Sequence, residues 1–220
     1  MHDAVPFTLR RLGIVSGAAV AVLCLAYVCV LAVGLLTLPS PVHQIQQPWF
    51  FLMELLILGI APALVVLSIA LHAWAVPDRK AFALAGVVFI SMSATVTCVV
   101  HFATLTLSTH PTFARESWAP LVFSFSWPSV AYALDILAWD IFFALGALFL
   151  AIAMSGAGSA RVARALMFTS AMLAFVGVVG VPIENMQVRT IGIIGYAVLF
   201  PVAAGVLAKL FHQANAKRAA

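Results

Sequence analysis

Long apolar runs, separated by short polar breaks, dominate this chain. A helix that crosses a bilayer needs roughly 20 mostly apolar residues. Six stretches reach that length, at about 12–38, 49–76, 81–108, 128–154, 162–181 and 190–211. The breaks carry turn chemistry: Pro39-Ser40-Pro41, Pro77-Asp78, His110-Pro111, the Gly-rich run Ser155 to Ser159, and Pro182. Pro128 opens the fourth run at a first-turn position, where proline lacks only an N–H that would be unpaired anyway. The pattern predicts an all-α fold, a polytopic bundle of six transmembrane helices forming one domain over 1–220. Gly59 to Pro62, and Gly195 with Pro201, are expected to interrupt the second and sixth helices near mid-membrane.

Composition removes the alternatives. Hydrophobic residues make up 65% of the chain and charged residues 8%, against about 25% charged in an ordinary soluble domain. So few charges cannot cover the surface of a soluble enzyme, and they form no basic face for nucleic acid. The partners this leaves are the lipid bilayer and a small apolar or amphipathic molecule, with self-association left open.

Placement of the bases predicts orientation. Arg10, Arg11, Arg79, Lys80, Arg161, Arg164, Lys209, Lys217 and Arg218 fall on one side if six spans alternate; Arg115 and Arg189 fall on the other. By the positive-inside rule both termini are then cytoplasmic, in a multi-pass protein of the kind found in a bacterial inner membrane. Trp74 marks the inner interface and Trp49, Trp118 and Trp127 the outer one. The first run follows Arg10-Arg11 as a signal peptide would, but it is too long and lacks an Ala-x-Ala site before Pro39, so it reads as a retained helix. Cys24, Cys29 and Cys98 lie inside spans and read as buried thiols without metal-ligand spacing. The loop from Thr109 to Ser126 is rich in Trp and Phe, which predicts a segment lying on the outer interface or folded over the bundle mouth.

Ionisable groups at membrane depth are costly and so mark functional candidates. Glu54, His101, Asp135 and Asp140 lie well inside spans. At 1.5 Å per residue their depths below the outer interface are about 8, 10 and 12 Å for the first three, with Asp140 near the midplane. Arg115, Glu116, Glu184 and Arg189 are expected to ring the outer mouth, with His43 and His110 in the same loops. The polar chemistry is thereby confined to one half of the bundle. Ser93, Thr97, His101, Thr104 and Ser108 recur at helical spacing, a polar stripe that must face other helices or a cavity. Tyr132, Asp135 and Trp139 share a helix face, whereas Asp140 falls about 140° from Asp135 in an α-helix. The two aspartates either border one cavity from two sides, or one faces a cavity and the other bonds a neighbouring helix.

A carboxyl group in low dielectric resists ionisation unless a cation or donors hold its charge, and beside a histidine it forms a proton donor–acceptor set. The expected catalytic groups are therefore Glu54, His101, Asp135 and Asp140. The expected substrate contacts are Thr97, Tyr132, Trp139, Glu184, Arg189 and Tyr196, the aromatic faces suiting cations and flat apolar ligands. The leading reading is a membrane enzyme doing acid–base chemistry, of isomerase or cyclase type, on a small apolar substrate. A proton- or cation-coupled secondary transporter is the alternative, and a structural or sensory subunit the third. No cofactor is predicted; a metal held by Glu54, His101 and an aspartate is a weaker reading, without H-x-x-x-H or H-E-x-x-H spacing. The segments Pro128 to Asp140 and Ile191 to Tyr196 look motif-like, but no activity attaches to them.

Overall fold

The computed structural model describes residues 6–40 and 45–214. These are all-helical, with 82% of residues in helix and no strands among the described residues. Six helices are long and apolar enough to cross a membrane: α1 (Phe7–Leu36), α2 (Trp49–Trp74), α3 (Lys80–Leu107), α4 (Val130–Ala153), α5 (Ser159–Val178) and α6 (Met186–Gln213). Their limits lie within a few residues of the hydropathy runs, because apolar length sets them. His43, Asp3, Lys217 and Arg218 lie outside the described residues.

Each helix packs against its neighbours in sequence, and α6 returns to α1, so the six close a ring. The short connections between α2 and α3, α4 and α5, and α5 and α6 make those neighbours antiparallel. Two kinds of contact identify one end of the bundle. Trp74 meets Phe211 edge-to-face at 4.6 Å, and the Arg79 guanidinium donates to the backbone carbonyls of Ile152 and Met154 at 2.9 and 3.1 Å. Arg79 thereby caps the C-terminal carbonyls of α4, which no helical N–H can reach. This end holds the described cluster of bases. The half of the bundle above it is densely filled by Leu67, Ile90, Leu150, Met167 and Leu207, each at most 2% exposed.

Two expectations change here. α2 runs unbroken through Pro62, because a proline removes only one ladder hydrogen bond and a membrane bundle tolerates the loss. The irregular winding is in α6, where Gly195 is expected to interrupt the helix, and in α4, where no break is expected. Leu137–Phe143 and Gly195–Leu199 are π-helical, each a widened turn inside an otherwise α-helical span. Cys29 is exposed on the outside of α1 rather than buried, while Cys24 is buried and Cys98 intermediate; all three are free. A thiol is apolar enough to face lipid, so span membership alone does not imply burial.

Candidate functional site

A cavity of about 840 Å³ occupies the end of the bundle opposite the basic cluster. Helices α1, α2, α3, α4 and α6 wall it; α5 contributes no lining residue. The loop between α3 and α4 covers it. Two short helices, Pro111–Ala114 and Ala119–Phe123, fold that loop back, with Phe113 packed edge-on to Trp118 and Phe123. Ring-to-ring packing in this partly exposed cluster favours the folded-back loop over an extended one. Phe125, beyond the second short helix, stacks on the His101 ring at 4.8 Å.

The ionisable residues form one continuous chain at the cavity floor. Glu54 Oε2 lies 2.9 Å from His101 Nδ1. His101 Nε2 lies 3.5 Å from Asp135 Oδ1. Asp135 Oδ2 accepts from an Arg189 terminal nitrogen at 2.6 Å, and Arg189 Nε donates to Asp140 Oδ2 at 2.9 Å. Four helices thus contribute to a single path: Glu54 from α2, His101 from α3, both aspartates from α4 and Arg189 from α6. The guanidinium also lies over the Tyr132 ring, 4.4 Å from its centroid.

Arg189 is the main correction to the sequence reading. It does not ring the mouth; it is 3% exposed and joined to both aspartates. The Asn185 side chain caps the first turn of α6 by accepting from Gln187 N–H. Arg189 follows just inside the helix, where its long side chain turns inward because two carboxylates offer a forked partner.

In an α-helix a spacing of five places the two aspartates about 140° apart. Asp135 lies in the α-helical part of α4 and Asp140 in the widened turn that begins at Leu137. The forked Arg189 side chain, arriving from α6, bridges them. Asp135 lines the cavity; Asp140 does not, and it is fully buried. Of the two arrangements left open, the structure takes the one in which one aspartate faces the cavity and the other bonds a neighbouring helix. Asp140 Oδ1 occupies a slot between Gly177 of α5 and Gly192 of α6, where a Cβ at either position would collide with it.

The remaining candidates divide. Tyr132, Trp139 and Tyr196 line the cavity with Asp135, and Trp139 and Tyr196 pack ring to ring at 5.2 Å. Thr97 is 1% exposed and off the cavity wall; its hydroxyl, like that of Thr104, has no hydrogen-bond partner. Glu184 is exposed in the turn before α6, at a φ of 54°, and touches no part of the cavity. Among the lining residues that the sequence reading did not single out are two aromatic ones, Tyr27 and Phe125. Tyr27 of α1 carried a signal, a phenol inside an apolar run, whereas Phe125 carried none among so many phenylalanines.

The acids are not arranged around a common centre. Glu54 and Asp135 address opposite nitrogens of one imidazole, so a single ion cannot collect all three. Among the described residues, no group of three or more His, Cys, Asp or Glu side chains could hold a metal ion. No family model, curated protein or solved structure matches the chain.

Proposed function

We propose that this chain is a multi-pass membrane enzyme that moves a proton on a small amphipathic molecule bound in the cavity. The single observation that carries the reading is the Glu54–His101–Asp135 path at the cavity floor. A carboxyl–imidazole–carboxyl path can pass a proton between its ends without a free ion in the bilayer, a bound ligand bridging the 3.5 Å between His101 and Asp135. Asp135 is the member best placed to meet a ligand, since its side chain keeps 14% exposure against 3–5% for the other two. In this scheme Asp135, held as a carboxylate by Arg189, takes a proton from one atom of the substrate and the path returns one to another atom. The product is an isomer, so atoms balance without a co-reactant. Arg189 holds Asp135 in place, and Tyr27, Trp139 and Tyr196 give the intermediate aromatic faces. By the positive-inside rule the cavity end is the outer one and the basic end cytoplasmic, in a bacterial inner membrane.

The test begins with extraction and mass spectrometry of the amphiphiles that co-purify with the protein. Each is then returned to the protein in D2O. The expected result is deuterium on a carbon of one of them with the wild type and none with His101→Gln. Passage of an unchanged molecule across liposomes, with no exchange, would replace this reading by transport. Transport is favoured by one feature, the two π-helical turns in α4 and α6 beside the site, since widened turns suit moving helices.

A further inference from the structure

The cavity floor holds more acid than base. With Glu54, Asp135 and Asp140 ionised, their only cationic partners among the described residues are the Arg189 guanidinium and the His101 imidazole. Negative charge is left over whether or not His101 is charged. At membrane depth that surplus must be met by protons or by a bound cation.

A second observation locates where a ligand would act. His101 Nε2 is buried and has no hydrogen-bond partner. It points at Asp135 Oδ1 across 3.5 Å, longer than an ordinary hydrogen bond. When Nδ1–H donates to Glu54, Nε2 is a bare acceptor facing another acceptor. That gap calls for a shared donor.

The walls suit a cation as well. Tyr27, Trp139 and Tyr196 line the floor, and aromatic faces attract ammonium groups. Above them Leu31, Leu35 and Ile57 form an apolar wall. Glu116 at the mouth adds negative charge, and Arg189 is the only Arg or Lys among the lining residues. From the charge surplus, the unpaired nitrogen and the aromatic floor together, we infer that the ligand is an amphiphile with a protonated amine head, its N–H groups on Asp135 and its tail along α1 and α2.

This inference rests on the acid–base reading of the same cavity. Octylamine, octanol and octanoate share a tail and differ only in the head. Their binding is measured by calorimetry with the full chain in phosphatidylcholine nanodiscs, and empty nanodiscs are subtracted. Octylammonium is expected to bind at least tenfold more tightly than the other two, and Asp135→Asn to erase that preference. Equal or tighter binding of octanol or octanoate to the wild type overturns the inference, as does a preference that survives in Asp135→Asn. The wild-type comparison stands even if the variant does not fold. An ammonium preference without deuterium exchange would remove the enzyme reading alone; exchange on a neutral or anionic amphiphile would remove this one alone.

Discussion

Arg189 and Asp140 show how a buried charge pair constrains its surroundings. Neither side chain reaches solvent; Asp140 depends on Arg189 for compensation, and Arg189 also serves Asp135. Stranding a buried charge by removing its partner typically costs about 3–5 kcal/mol. Arg189→Gln, which strands both aspartates, is therefore expected to lower stability by that order in a denaturation assay in detergent, and Arg189→Lys to lose part of it, because an ammonium cannot fork to two carboxylates. Gly192→Ala should act through the same pair, since the added methyl enters the space of Asp140 Oδ1. Overpacking of this kind costs roughly 1–3 kcal/mol. Wild-type stability in Gly192→Ala would mean that the slot is not tight. Thr97→Val provides the contrast. Its hydroxyl has no partner and lies off the cavity wall, so loss of the hydroxyl should leave both stability and octylammonium binding within a factor of two.

Two helices depart from regular winding, and both departures lie at the site. A widened turn needs support from neighbouring helices, and α6 receives it from α5. The Gly195 carbonyl accepts from the Phe200 N–H five residues on and also from Ser170 Oγ at 2.9 Å. Ser170→Ala is expected to destabilise the protein by about 1 kcal/mol, with faster hydrogen exchange at the Phe200 amide in that variant. Unchanged exchange would show that the serine does not hold the turn. None of this was legible in the chain. A spacing of five between Asp135 and Asp140 argues against a shared partner on any regular helix. Only the arrival of the long, forked Arg189 side chain from α6 reverses the conclusion. The polar stripe of α3 was legible, because helical periodicity needs no knowledge of the partner: Ser93, Thr97, His101 and Thr104 are all buried.

At the scale of the molecule the bundle is asymmetric, with a cavity toward one end and dense packing toward the other. Single cysteines at Leu67 and Ala70, both at most 1% exposed in the packed half, should stay unlabelled by a water-soluble thiol reagent, whereas one at Ser117 on the cavity rim should react. Labelling of the packed-half cysteines during turnover would mean that the bundle opens at both ends and would support transport. The six apolar helices and the gathering of Glu54, His101 and Asp135 toward one end of the bundle followed from the sequence by itself. Each depends on local quantities: apolar length against bilayer thickness, and distance along a helix from its end. Tertiary structure alone decided that Arg189 turns inward, that Asp140 leaves the cavity to pair with it, and that Phe125 covers His101. Those outcomes depend on which side chains from distant segments arrive at the same depth. A long arginine satisfies its charge wherever carboxylates are nearest, and that place is set by the packing of α4 against α6.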